Sequence, residues 1–380
     1  MPPTLRVLVC PQEFKGTLSA TRAAEVIAQA VRSALPGDEV FEQPMADGGP
    51  GTAEIVGRAR GGVLHRTVVH DAYGATIEAW FVLLDDGATA VIDSAAAVSL
   101  AATDEARRDP VRSTSRGVGE LIVAAVEAGA HRIVLGVGGT ASSDGGAGAA
   151  RALGLRLLDA TGAELPSEAL HLVRLARVEA SEVLLQRALG DVDLRIAVDV
   201  RNPLTGPEGA AAVYGAQKGL RDWQAPALDA AVATWAARVR DDLGREVEVP
   251  GAGAGGGIPA GILAALPHAT IESGAALVAD DVGLRSLMQD ADLVITGEGA
   301  LDAQTAFGKA VAHVVALAAE EGTPCLAVAG VIEAVPPGIA DAEALVTPGD
   351  DPAGALAEPE RFLAEATTRL VARWLAQQGA

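Results

Sequence analysis

The chain has 380 residues, 49% hydrophobic but only 3% aromatic, and its 50 acidic and 29 basic side chains give a net charge of −21. That length exceeds one ordinary core and predicts two domains with interiors of Ala, Val, Leu and Ile. A field this negative repels nucleic acid and anionic membranes, which sets both aside as partners, and any anion site must be locally positive or carry a divalent metal.

Arg6 to Cys10 reads as a strand, Pro11 to Thr17 as a polar loop, and Ala23 to Leu35 as a helix, with Ser19 or Thr21 as N-cap and Pro36-Gly37 as its stop. A strand near Glu39 to Gln43 leads into Met45-Ala46-Asp47-Gly48-Gly49, and Thr52 to Ala59 is helical. This is the rhythm of a parallel sheet with polar loops beyond the strand C-termini. The pattern then changes. Val63 to Val69, Thr76 to Leu84 and Thr89 to Asp93 are close-spaced strands separated by turns, which predicts an antiparallel meander. A helix from Ser115 to Ala128, a strand at Ile133 to Leu135, a Gly-rich loop, another helix and a strand at Arg195 to Val198 follow. Gly251 to Gly257, with five glycines in seven residues, reads either as a flexible hinge or as a loop that hugs a ligand. Strand and helix alternate again from Leu293 to a terminal helix over Glu360 to Leu375. The expected fold is therefore two different α/β domains: a Rossmann-like parallel sheet from both chain ends (1–62 plus 278–380) and an inserted mixed α/β domain (63–277).

Lys15, Lys218 and Lys309 are the only lysines, against 26 arginines (29 Lys+Arg minus 3), and each adjoins a glycine. An ammonium beside flexible backbone amides is suited to an anionic group, most often phosphate. The loop from Gly136 to Gly148 follows a strand and precedes a helix, so its amides can cradle an anion while Ser142, Ser143 or Asp144 caps the helix. Gly136-Val137-Gly138-Gly139-Thr140-Ala141, with Asp159 further on, also fits a loose dinucleotide fingerprint and keeps an NAD(P)-dependent oxidoreductase open as the alternative. Against it, Gly145, Gly146 and Gly148 fall where the first Rossmann helix should already run.

Asp47, Asp199, Glu298 and Asp302 lie in loops beyond predicted strands, and Asp144 lies in the Gly-rich loop. Several carboxylates with a few lysines and no histidine cluster suit Mg²⁺ held through oxygens and a substrate phosphate. Cys10 and Cys325 sit in apolar runs and read as buried thiols of a reduced compartment. With no secretory pattern and no apolar run of membrane-spanning length, a cytoplasmic protein is expected.

Five segments, in order, resemble the class I glycerate kinase family over nearly the whole chain. Pro11-Gln12-Glu13-Phe14-Lys15-Gly16-Thr17-Leu18 is similar to the family's Pro-Asp-Ser-Phe-Lys-Gly-Ser-Leu, and Ala46-Asp47-Gly48-Gly49-Pro50-Gly51-Thr52 to its Ala-Asp-Gly-Gly-Glu-Gly-Thr. Gly136 to Gly148 resembles Gly-Ile-Gly-Gly-Ser-Ala-Thr-Asn-Asp-Gly-Gly-x-Gly. Asp199 to Gly219, with Asn202-Pro203-Leu204 and Gln217-Lys218-Gly219, and Ile295 to Lys309, with Glu298, Asp302 and Gln304-Thr305, complete the set. Gln12, Glu13, Pro50, Ser143, Ala300 and Ala303 depart from the family pattern, the last two standing where Arg and Ser are common.

The resemblance implies two α/β domains with the active cleft between them, and ATP-dependent phosphorylation of D-glycerate, leaning towards the 2-position. It places Lys15 and Lys309 on phosphoryl oxygens and makes Gly138, Gly139, Thr140, Ser142 and Ser143 the anion cradle. Asp199 or Asp302 would accept the hydroxyl proton. Asp47, Asp144 and Glu298 would hold Mg²⁺, and Lys218, Arg201 and Asn202 would meet the substrate. Whether the enzyme is a homodimer stays open.

Overall fold

The computed structural model describes residues 4–181, 189, 191–301, 310–346 and 352–378. The chain divides into two compact units: residues 1–47 with 274–380, and residues 48–273.

The first unit begins with β1 (Arg6–Pro11), α1 (Ala20–Ala34) and β2 (Glu39–Glu42). Ser19 caps α1, its hydroxyl accepting from the Arg22 amide at 3.2 Å, which stabilises the helix start by about 1 kcal/mol. The chain returns after the second unit with α9 (Gly274–Asp281), α10 (Leu284–Gln289), β11 (Leu293–Leu301), α11 (Ala310–Glu321), β12 (Cys325–Ile332), β13 (Asp341–Ala344), α12 (Pro352–Ala357) and α13 (Pro359–Gln378). The five strands form one wholly parallel sheet in the order β13-β12-β11-β1-β2. Val7, Val9, Leu293, Ile295, Leu326 and Val328 pack with Ile27 and Val31 of α1 and Leu363, Leu370 and Val371 of α13. The alternate residues Leu8, Val294 and Ala327 are as deeply buried, so the central strands are covered on both faces, as parallel strands require.

Connections run outward in opposite directions from the centre: β1 leads through α1 to β2 on one side, and β11 leads to β12 and β13 on the other. The β1–β11 seam is therefore the switch point of the sheet, where the C-terminal strand ends open a crevice for ligands.

The second unit begins with α2 (Thr52–Ala59), in front of the boundary expected from the sequence. The cause is packing: a Cβ on Gly57 would lie 2.8 Å from a Val82 methyl carbon, so α2 rests directly on the second sheet. That sheet has the order β10-β9-β6-β5-β4-β3. The expected meander, β3 (Val63–His70), β4 (Thr76–Leu83) and β5 (Thr89–Asp93), pairs antiparallel. Beyond it, β6 (Arg132–Gly136), β9 (Asp193–Val198) and β10 (Thr270–Ser273) add in parallel. A two-stranded antiparallel ribbon, β7 (Leu155–Leu158) with β8 (Arg177–Ala180), stands apart. The helices are α3 (Ala95–Val98), α4 (Arg116–Glu127), α5 (Ala147–Ala152), α6 (Ala210–Tyr214), α7 (Ala225–Leu243) and α8 (Ile258–Ala265). One core joins Ile92, Leu121, Ile133, Leu135 and Ile196 to Trp235 of α7.

Trp235 is fully buried, and its indole Nε1 donates to the Gly145 carbonyl at 2.9 Å, tying the aliphatic core to the Gly-rich loop. Replacing it with alanine should cost about 3–5 kcal/mol in urea unfolding, and with phenylalanine, which keeps most of the volume but loses the donor, about 1–3 kcal/mol.

Candidate active site

In the first unit, the candidate residues gather at the switch point. The Gln12 amide donates to the Gly297 carbonyl at 2.8 Å, so the loop after β1 stays in register with the end of β11. Phe14 anchors this loop. It is buried, its ring lies under Gly297, and its backbone exchanges hydrogen bonds with Leu18 at 2.9 and 3.0 Å. The next residue, Lys15, is thereby left exposed at the tip, followed by Gly16 at φ 79°. A Cβ on Gly299 would lie 3.3 Å from the Lys15 backbone nitrogen, so the tip sits against the strand that carries Glu298.

Asp47 reaches the same edge, because the Met45 amide is held by the Pro11 carbonyl at 2.9 Å. The Gln12 side chain donates from Nε2 to Asp47, while its Oε1 is buried and has no hydrogen-bond partner among the described residues. Burial raises the Glu13 carboxyl pKa; the Lys15 charge lowers it and the Asp47 charge raises it further, so the three groups sense one another. Glu298, expected in a loop beyond its strand, is instead buried within β11, which pairs it with Ala329 of β12 and runs on to Leu301. Asp302 and Lys309 fall outside the described residues.

In the second unit, the ends of β5, β6 and β9 converge on Gly48-Gly49-Pro50. A Cβ on Gly48 would lie 2.5 Å from the Ala197 carbonyl oxygen, and one on Gly136 2.7 Å from that of Gly48. Gly138 and Gly139 turn over Gly49 and Pro50 at the surface, and among the described residues their amides donate no hydrogen bond. Two adjacent amides without a partner among the described residues, with Gly139 at φ 64°, are of the kind that can receive an anion. Asp199 and Arg201 are exposed just beyond β9.

The remainder of the loop turns inward. Thr140, Ser142, Ser143 and Asp144 are all buried, so the cradle expected over Gly138 to Ser143 is open only at its first two glycines. Asp144 does not present an open metal ligand. Its oxygens accept from the Ser115, Gly146 and Gly148 amides at 2.8, 3.1 and 2.9 Å and from the Ser115 hydroxyl at 3.0 Å. Burial raises its pKa and those four bonds oppose the rise, which makes it the organiser of the loop interior. Among the described residues, no group of three or more His, Cys, Asp or Glu side chains could hold a metal ion.

Lys218 is likewise turned inward, and Asn202 is half-buried with its side chain engaged in its own turn. The Lys218 ammonium is buried and donates to the Ser142 carbonyl at 2.7 Å and to Thr140 Oγ1 at 3.4 Å. Asn202 accepts from the Tyr214 hydroxyl at 2.6 Å and donates to the Glu208 carbonyl at 2.9 Å, clamping its own turn. The Gly251–Gly257 run is neither a hinge nor a ligand loop. It backs the Gly-rich loop at contact distance: Cβ atoms on Gly256 and Gly257 would fall 2.0 Å from the Ser142 oxygen and 2.4 Å from the Gly145 Cα.

The dinucleotide alternative loses its geometry. The helix after the loop starts only at Ala147, and Asp159 is consumed in a turn beyond β7 by the Thr161 amide and hydroxyl (2.8 and 2.6 Å) and the Ala163 amide (3.2 Å). Gln12, Glu13 and Asp93 are the site-edge residues the sequence did not select. Asp93 ends a correctly predicted strand, and the rule that selected Asp47, Asp199 and Glu298 would have found it.

Asp93 caps α2, accepting from the Gly51 and Ala53 amides at 2.8 and 3.0 Å, yet burial dominates and lifts its pKa from an ordinary 3.8 to about 6. A carboxyl raised on folding favours the native state below its unfolded pKa and loses that advantage as pH rises through the folded one. Between about pH 4 and pH 6, wild-type stability should fall by up to about 3 kcal/mol relative to Asp93→Asn, read from paired urea melts.

The family model described as glycerate kinase family matches residues 7–375. The glycerate kinase of Bacillus subtilis (strain 168) is 41% identical over 86% of this chain and 85% of its own, and the glycerate 2-kinase of Escherichia coli (strain K12) is 37% identical over 86% and 85%. A crystal structure from Salmonella typhimurium LT2, provisionally named glycerate kinase 2, aligns over 100% of both chains with a TM-score of 0.85 at 34% identity. With the family model spanning nearly all of the chain and relatives well above 30% identity over most of it, this protein belongs to the glycerate kinase family.

Proposed function

We propose that the enzyme transfers the γ-phosphoryl group of ATP to the 2-hydroxyl of D-glycerate, giving 2-phosphoglycerate and ADP. The observation that carries this reading is the placement of Lys15 at the loop tip over the β1–β11 switch point, against the stretch of β11 that carries Glu298, with Asp47 held by Gln12 of the same loop. The 2-position takes its support from the name of the Escherichia coli relative.

Phosphoryl transfer needs alignment and charge neutralisation more than covalent help. Lys15, exposed and on a flexible stem, neutralises phosphoryl oxygens. The Gly138–Gly139 amides hold an anionic group. Asp199 accepts the hydroxyl proton as the substrate oxygen attacks the γ-phosphorus, and the bond to the bridging oxygen breaks with its electron pair leaving on ADP. Arg201 is the exposed cation suited to the glycerate carboxylate. Asp302 as an alternative base and Lys309 as a second phosphate cation retain the roles that the resemblance implies.

Mg²⁺ fits the first unit's oxygen donors: the Asp47 and Glu298 carboxylates and the buried, unpartnered Gln12 Oε1 are hard ligands of the type it prefers. When bound with nucleotide, it would spread the phosphate charge. Two buried free thiols, Cys10 and Cys325, suit a reducing cytoplasm, and among the described residues no helix is long and apolar enough to cross a membrane.

A coupled ADP-release assay with D-glycerate, L-glycerate and related hydroxy acids, with the product identified by NMR, tests substrate and regiochemistry together. Lys15→Ala should lower kcat/KM by about a hundredfold or more while the melting temperature holds. ADP release at wild-type rates in that variant would remove Lys15 from the site.

A further inference from the structure

Lys218 is buried in a place where a neutral side chain would cost less, and its surroundings show what it does there. It ends a 3-10 turn (Ala216–Lys218) that is fixed from outside, the Arg108 guanidinium donating to the Gln217 carbonyl at 3.3 Å. Its stem runs inward, and the ammonium meets the Gly-rich loop from behind, at Ser142 O (2.7 Å) and Thr140 Oγ1 (3.4 Å). Thr140 passes the connection on, its hydroxyl donating to the Gly255 carbonyl at 2.9 Å. Thr140 directly follows the Gly138–Gly139 turn, whose amides are the open part of the cradle.

We propose that Lys218 is a positioning residue for this turn: it fixes Thr140 and Ser142 so that the Gly138 and Gly139 amides face an incoming anion, and it places a positive charge beneath them. This rests on the reading that the turn binds a phosphoryl or carboxylate anion of the substrates. The charged groups around Lys218 are Asp144 on the loop, which favours the ammonium, and Arg108 on the outer side. Burial is the larger influence and brings the Lys218 pKa down to about 7, so its charge is adjustable near neutral pH. An anion held on the turn favours the charged form and draws protons onto Lys218.

With three lysines in the chain, ¹³C-lysine NMR on the wild-type enzyme resolves the matter. In the free enzyme the Lys218 Cε signal, assigned by its loss in Lys218→Met, should titrate near pH 7. Saturation with the Mg²⁺ complex of a non-hydrolysable ATP analogue, or with D-glycerate alone, should raise that midpoint by about one unit in whichever arm fills the turn. A Lys218 midpoint that stays put in both arms, while the Lys15 signal reports binding, overturns the proposal. Absence of binding by either ligand defeats the reading of the substrates instead, and the role of Lys218 falls with it. Kinetics give a second readout. In Lys218→Met, KM for the same ligand should rise about tenfold, kcat should change less, and the wild-type break in kcat/KM near pH 7 should vanish. A folded variant with unchanged KM and pH profile also overturns the proposal.

Discussion

The Gly136–Gly148 loop is held by contacts too close for any side chain. Glycines of the Gly251–Gly257 run press on it from behind, Gly48-Gly49 presses on it from the strand ends, and at each contact a single methyl group would overlap backbone atoms. Such contact is stable only if the enclosed amides and carbonyls find partners. Here they do: the Ala141 amide donates to the Val98 carbonyl, that of Ser143 to Ser113 Oγ and that of Gly145 to the Gly256 carbonyl. The loop is therefore a solid part of the interior with one exposed corner, at Gly138 and Gly139.

That interior also holds two buried charges of opposite sign. Asp144 gathers amides from the start of α4 and of α5 to one carboxylate, and Lys218 occupies a carbonyl that those amides leave over. Removing either would strand its partners without water, which is costlier than the net worth of the hydrogen bonds themselves. In the first unit the arrangement differs. The polar groups lie at the mouth of a parallel sheet, Lys15 is exposed, and the buried Gln12–Asp47 contact sets where the carboxylate stands.

Much of this was legible in the sequence because backbone chemistry and hydrophobic period agree there. The β1–loop–α1 start, the meander, the strands at Arg132–Gly136 and Asp193–Val198, the first half of Leu293–Leu301, and the return of both chain ends to one sheet followed from apolar runs broken by glycine and proline, whereas the extension of β11 through Gly297-Glu298-Gly299 did not. What misled was exposure. Thr140, Ser142, Ser143, Asp144 and Lys218 are polar residues in Gly-rich or turn segments, and composition places such residues at a surface, yet all are buried. Whether a polar group faces solvent or serves as an internal strut is decided by contacts between segments far apart in sequence, Ser115 with Asp144 across 29 residues, Lys218 with Ser142 across 76 and Thr140 with Gly255 across 115, which no local pattern encodes. The unit boundary shifted for a similar reason, since only the fit of Gly57 against Val82 tells which sheet α2 covers.

The order of strands in the first sheet also bears on synthesis. β1 lies between β2 and β11, yet β11 leaves the ribosome only after the whole of residues 48–273 has emerged. Until then β1, α1 and β2 have a sheet edge and an apolar face with no lasting cover, while the second unit already holds all of its own strands. Contacts this remote in sequence form late and leave early segments open to wrong partners. The tip that carries Lys15 thus takes its final shape among the last parts of the molecule, when the returning strand locks against the one that was made first.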